Sequence, residues 1–189
     1  MKLLWLDTET TGLCPVKNAL REIGFIYKNE NEVNKGLLFI NPLTYKKSID
    51  IDSYALKISN KTLKDLETYP DSEYSFYTFC KFLDKRFEVD NTRFVIAGFN
   101  AKFDYEFLKE WFKDNKAEVE FNKYFHYKIL DVFSLVFILK QQNLIDTKND
   151  KLETVCNYFD IPINAHDALS DIEATKKLYD LIVDRFIKK

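Results

Sequence analysis

The run Leu3-Leu4-Trp5-Leu6-Asp7-Thr8-Glu9-Thr10-Thr11-Gly12 decides how the rest of the sequence is read. Leu3 to Leu6 is continuously apolar, as a strand buried on both faces would be. Side chains at i and i+2 of a strand share a face, so Asp7 and Glu9 project together from its end. A solvated strand end, turning at Thr10-Thr11-Gly12, is the competing reading. Downstream, strand-like runs at residues 22–27 and 36–40 flank the polar stretch Lys28-Asn29-Glu30-Asn31-Glu32, the pattern of an antiparallel hairpin. Helices are expected over 62–68 and over 72–87, where Tyr74, Phe76, Tyr77, Phe79, Phe82, Leu83 and Phe87 recur at helical spacing. A strand at 94–97, a helix over 101–114, a strand near 128–130 and helices over 132–142, 152–159 and 167–187 complete the pass. Three strands followed by alternating helices and strands predict an α/β fold, a mixed sheet with helices on its faces.

Composition bounds the function. With 189 residues, 46% hydrophobic and 16% aromatic, the chain can bury a sizeable core, and one domain spanning 1–189 is expected. The net charge of -2 gives no global attraction for a polyanion, so a nucleic-acid site must be local. The four glycines, Gly12, Gly24, Gly36 and Gly98, are too scattered for a dinucleotide or P-loop fingerprint. Cys14, Cys80 and Cys156 lie far apart and form no Cys-x-x-Cys pair, which argues against a disulfide framework or a zinc knuckle. Asp7 cuts the first apolar run short of a secretory core, and no later run approaches membrane-spanning length. A soluble cytoplasmic protein is expected, with residue usage that fits an A·T-rich bacterial or phage genome.

Further acidic residues sharpen the reading of Asp7 and Glu9. Asp104 shares a helix face with Phe107, Leu108 and Trp111 at i+3, i+4 and i+7. A carboxylate on a core-facing stripe must be paired, hydrogen-bonded or bound to a cation; an N-cap role at Asn100 or Asp104 is the alternative. Asp171 repeats the pattern with Ala168, Ala174 and Leu178. Five residues apart on one helix, His166 and Asp171 would diverge by about 140°. They converge only if His166 precedes the helix, with Asp167 as its N-cap; otherwise His166 is an ordinary surface histidine. Carboxylates from a strand and two helices suit hard divalent cations such as Mg²⁺ or Mn²⁺. Two such ions can activate a water and stabilise the leaving oxygen in phosphodiester cleavage, and a histidine can take the proton.

Asp7-Thr8-Glu9-Thr10-Thr11-Gly12-Leu13, Asn100-Ala101-Lys102-Phe103-Asp104 and His166-Asp167-Ala168-Leu169-Ser170-Asp171 resemble, in order and spacing, the three motifs of the DEDDh (DnaQ-like) exonucleases. This branch includes the proofreading epsilon subunit of bacterial replicative polymerase, RNase T and oligoribonuclease. The resemblance implies an RNase H-like fold with five strands in the order 3-2-1-4-5, the second antiparallel. It implies hydrolysis from a 3′ end of single-stranded or frayed DNA, releasing nucleoside 5′-monophosphates. Asp7, Glu9, Asp104 and Asp171 would bind two divalent cations, Mg²⁺ or Mn²⁺, with His166 as general base. Thr8 and Thr10 would offer backbone contacts to the terminal nucleotide, Leu13 a wedge and Phe103 an aromatic face; core packing competes for Leu13 and Phe103 and is favoured for Phe107. Asn100 belongs to the second motif. The segment from Ala55 to Thr62 matches a substrate-gripping region in which many relatives carry His-Gly, replaced here by Ser59-Asn60. Asp131 resembles a commonly acidic position, equally explained as a helix cap, and His126 reads as structural or surface. RNA trimming and non-catalytic nucleic-acid binding are the alternatives. The partners implied are single-stranded DNA or RNA 3′ ends, with a DNA polymerase or replication complex as a further candidate and no membrane.

Overall fold

Strand β1 (Lys2–Thr10) is the axis of the structure, a computed structural model that describes residues 2–30 and 32–188; Asn31 of the expected hairpin turn lies outside them. Beside it lie β2 (Leu20–Lys28), β3 (Val33–Phe39), β4 (Phe94–Gly98) and β5 (Phe125–Asp131). They form one sheet in the order β3-β2-β1-β4-β5, as expected. Strand β2 runs antiparallel to β1 and β3, while β4 is parallel to β1 and to β5. The fold is α/β and RNase H-like.

Alternation along β1 divides the interior into two cores. Leu4 and Leu6 pack with Phe79 and Leu83 of α3 (Ser72–Phe87) and with Phe107, Leu108 and Trp111 of α4 (Ala101–Asp114). Trp5 points the other way, into a core with Val136, Val155, Ile172 and Leu178. Those come from α6 (Val132–Gln141), α7 (Leu152–Tyr158) and α8 (Ala168–Ile182). Burying each such side chain contributes roughly 1.5–3 kcal/mol, so the two faces hold β1 from both sides. Continuing the alternation, Asp7 and Glu9 fall on the face of Trp5, toward α8, and Thr8 on the face of Leu6, toward α4.

Two short helices were not anticipated. In α1 (Ser53–Ile58) the Asp52 carboxylate caps the helix by accepting from the Tyr54 N–H at 2.8 Å, but six residues are too few to show a period. Helix α5 (Glu118–Tyr124) follows Lys116, which has a φ of 57°, and leads straight into β5. The expected helix over 62–68 is α2 (Leu63–Glu67), closed by a capping box between Thr62 and Asp65. The last helix keeps α geometry to Ile182 and ends in a π turn, Val183–Ile187.

Helix α8 reaches the sheet over Gly24 of β2. A Cβ there would lie 2.3 Å from the Ala168 carbonyl oxygen, which is backbone and cannot swing aside. We expect Gly24→Ala to lower the unfolding free energy by about 1–3 kcal/mol in urea denaturation, the usual cost of overpacking. An unchanged midpoint would mean that α8 does not bear on β2 this closely.

Candidate active site

The end of β1 gathers acidic groups from three elements. Carboxylate oxygens of Asp7 and Glu9 on β1 and of Asp171 in the first turn of α8 all lie within 4.8 Å of one another. Asp171 Oδ2 accepts the His166 N–H at 3.1 Å, while its Oδ1 is buried without a hydrogen-bond partner. A buried, unpartnered carboxylate oxygen beside two other carboxylates is costly unless a cation completes it. An all-oxygen donor set of this kind suits Mg²⁺ or Mn²⁺, so these residues fit the implied metal.

Asp104 approaches differently. It lies on α4, which covers the opposite face of β1, and is only 3% exposed. Its Oδ1 accepts both the Thr8 N–H at 2.9 Å and the Thr8 hydroxyl at 2.7 Å. That places Asp104 outside the cluster of three, although its charge bears on Asp7. The Thr8 N–H is taken up by this contact. The N-cap alternative for Asp104 is overturned, because Asn100 occupies the cap position with a φ of 62° and makes no capping bond.

Burial sets the protonation of these acids. Asp7 is raised well above the ordinary carboxylate range, first by desolvation and then by the charges of Asp104, Asp171 and Glu9. Desolvation pushes Glu9 up to about 7 against the opposing pull of Arg21. Asp104 is pushed up to about 7 by burial, with the Thr8 hydrogen bonds opposing, and Asp171 to about 6 by burial against the His166 N–H.

His166 stands outside α8, as convergence requires: Asp167 caps the helix by accepting from the Ser170 N–H at 2.8 Å. A φ of 68° turns the chain at His166, and the exposed side chain borders two cavities together with Asp171. One cavity, of 310 Å³, adjoins Asp7 and Glu9 and is lined by Leu13, Ala55 and Phe103. Leu13 is 84% exposed and so is no core residue, whereas Phe107 is 2% exposed and packs in the core against Phe103. Asn100 borders the other cavity, of 590 Å³, with Phe99 and Phe133.

Ser59 stands apart from the other residues named for substrate. It does not line the cavity, because its hydroxyl bonds back to the Ala55 and Leu56 carbonyls at the end of α1. Asp52, Tyr54 and Ile58 do line it and were missed; Asp52-Ser53 before an apolar run was the available cap signal. The Thr10 hydroxyl donates to the Gly12 carbonyl at 2.6 Å and shapes the loop that carries Leu13. Asp131 Oδ1 accepts from both the Asn100 and Phe133 N–H groups, so it caps α6 and ties β5 to the start of α4. His126 Nδ1 accepts the Lys128 N–H, a local structural contact.

A sheet of this order, with clustered carboxylates at the end of its central strand and a histidine ahead of its last helix, defines a nuclease of the metal-dependent, DnaQ-like class. The chain belongs to the exonuclease family, whose RNase T-type profile matches residues 4–179. Among curated relatives, a PolC-type DNA polymerase III from Caldanaerobacter subterraneus subsp. tengcongensis is 28% identical over 184 residues, covering 95% of this chain and 11% of the polymerase. Ribonuclease T of Buchnera aphidicola subsp. Baizongia pistaciae is 26% identical, covering 96% of this chain and 83% of that enzyme. The structure of E. coli exonuclease I with a dT13 oligonucleotide superposes with a TM-score of 0.73 at 18% identity, over 97% of this chain and 41% of that one. The chain thus spans about a tenth of the PolC-type relative's length. Among the described residues no helix is long and apolar enough to cross a membrane.

The raised carboxyls carry a pH signature. Folding lifts Glu9 and Asp104 to about 7 and Asp171 to about 6. Unfolded values lie near about 4, so between about pH 4 and 7 the native state binds more protons than the unfolded chain. The stability these groups contribute is fully present below that window and is lost as pH rises through it. In EDTA, the melting temperature should therefore fall between about pH 4 and 7, and Mn²⁺ should raise it more at the higher pH. Melting in EDTA that does not change over this interval would contradict the buried acidic cluster.

Proposed function

We propose that this chain is a metal-dependent 3′–5′ exonuclease that removes nucleoside 5′-monophosphates from single-stranded or frayed DNA. The observation that carries the reading is the cluster of Asp7, Glu9 and Asp171 with its unpartnered Asp171 oxygen, lying beside a cavity walled by Leu13 and Phe103. Asp7, Glu9 and Asp171 would hold divalent cations, two of them Mg²⁺ or Mn²⁺ with Asp104 as the fourth acid. Such ions, when bound, sharpen the nucleophile and offset developing charge on the phosphate. His166, exposed at the edge of the cavity, takes the proton of the attacking water. The water oxygen bonds to phosphorus, the bond from phosphorus to the preceding O3′ breaks, and that oxygen leaves as a new 3′ hydroxyl after gaining a proton from solvent. Leu13 and Phe103 give the terminal base apolar and aromatic surface without reading its edge. Stacking of this kind contributes about 1–3 kcal/mol for any base. Ala55 adds a wall from α1.

The PolC-type relatives support DNA as substrate, and association with a replicative polymerase in the cytoplasm is part of the proposal. RNA trimming is the second reading, favoured by the Ribonuclease T relative, whose length this chain nearly matches. Matched 3′-labelled single strands of DNA and RNA separate the two readings, and faster loss of label from RNA would favour the second.

His166→Ala should lower turnover by about 10²–10⁴, the range for a lost general base, while Mn²⁺ binding persists. Retained turnover would remove His166 from the mechanism. Chelation by EDTA should abolish hydrolysis, with Mg²⁺ or Mn²⁺ restoring it. A bulky 3′ block should stop digestion and a 5′ block should not; cleavage of a closed single-stranded circle would refute exonucleolytic action.

A further inference from the structure

Arg21, on β2, has no solvent exposure at all, yet its guanidinium stands at the edge of the acidic cluster. Nη2 donates to Glu9 Oε2 at 2.7 Å, and Nη1 is paired with Glu22 Oε1 at 2.5 Å. Nε faces the Thr10 carbonyl at 3.4 Å. Glu22 is itself 3% exposed and accepts the Tyr69 hydroxyl at 3.0 Å, and the Tyr69 ring packs against Phe39 at 4.7 Å. A fully buried guanidinium is costly to desolvate, and two carboxylates exceed what one cation needs for charge balance. The planar fork provides direction, fixing two carboxylates relative to one another in a way a point charge cannot.

We propose that Arg21 is a positioning residue: by occupying Glu9 Oε2 it fixes the orientation of the Glu9 carboxylate beside Asp7 and Asp171 and leaves Oε1 as the oxygen Glu9 offers to a divalent cation. This rests on the metal reading above and assigns the residue that orients one of its ligands. Glu22 and Tyr69 hold the far side of the guanidinium, so orientation is transmitted to Glu9 from the β2–β3 side of the sheet. The sign of the effect separates positioning from electrostatics. A cation 2.7 Å from Glu9 opposes metal binding by Coulomb repulsion, so removing its charge alone would tighten the site. Removing an orienting group loosens it.

The experiment is Mn²⁺ titration of the purified, metal-stripped protein, following free Mn²⁺ by electron paramagnetic resonance, a readout independent of turnover. Arg21→Lys keeps the charge and loses the fork; it should weaken Mn²⁺ binding at least tenfold. The double variant Arg21→Met/Glu22→Met removes both buried charges together and avoids stranding Glu22. It should also weaken binding tenfold or more, and it decides the matter if Arg21→Lys fails to fold by circular dichroism. Unchanged or tighter Mn²⁺ binding in a folded variant overturns the positioning role. Wild-type protein that takes up no Mn²⁺ removes the metal reading, and the proposal falls with it; wild-type uptake with undisturbed variants removes the proposal alone.

Discussion

Placing half-buried carboxylates from β1 and α8 within 4.8 Å of one another is the constraint from which the surrounding architecture follows. Such groups repel and resist desolvation, so each must be held by something that does not yield. Asp7 and Glu9 are held by pairing with Gly24 and Glu22 of β2, on a strand whose first half is also paired with β4. Asp171 is held by the first turn of α8, with the His166 N–H on one oxygen. Asp104 is held by two hydrogen bonds from Thr8. Core packing on both faces of the sheet offsets the repulsion, and a divalent cation would turn it into affinity.

The two faces of the sheet divide the work. The α4 side supplies Asp104 and Phe103, and the α8 side supplies Asp171 and His166; β1 joins them because its alternation sends Thr8 one way and Asp7 and Glu9 the other. The site sits beyond the carboxyl end of β4, where β1 runs on past its last pair with that strand, Trp5 with Ala97; the carboxyl ends of parallel strands are the usual location for a ligand site in an open sheet with helices on both faces. Gly24 matters for the same geometry, since the start of α8 can carry Asp171 to Asp7 only if β2 presents no side chain beneath Ala168.

Local order at the site is built from short-range capping. Asp167 fixes where α8 begins and thereby keeps His166 outside it; Asp131 fixes where α6 begins and anchors the backbone ahead of α4. Asp52 does the same for α1, which brings Tyr54, Ala55 and Ile58 to the cavity. Each cap is one side chain closing a turn on its own neighbours, which is why these features lie close in sequence to the residues they position.

Much of this was legible in the residue order. The apolar run before Asp7, the alternation that puts Asp7 and Glu9 on one face, the helical stripes beneath Asp104 and Asp171, and the Asp167 cap are local patterns, decided by the periods of strand and helix. The sheet order and the acids expected at the site followed from the motifs' resemblance to a known family. Helix α1 was not legible, because six residues cannot display a period, and neither was the turn of the Ser59 hydroxyl back to its own helix. Arg21 was invisible for a different reason: beside Glu22 in a strand it reads as an ordinary charged residue, and only the register shift between Leu20 and Glu22, which leaves Arg21 without a partner on β1, and the side-chain contact it makes reveal that it meets Glu9. The sequence by itself determined which chemical groups this protein carries and on which face of which element they stand. Tertiary structure alone decided which of them meet, because meeting depends on strand register and on how closely helices approach the sheet, and both are set by packing between residues far apart in the chain.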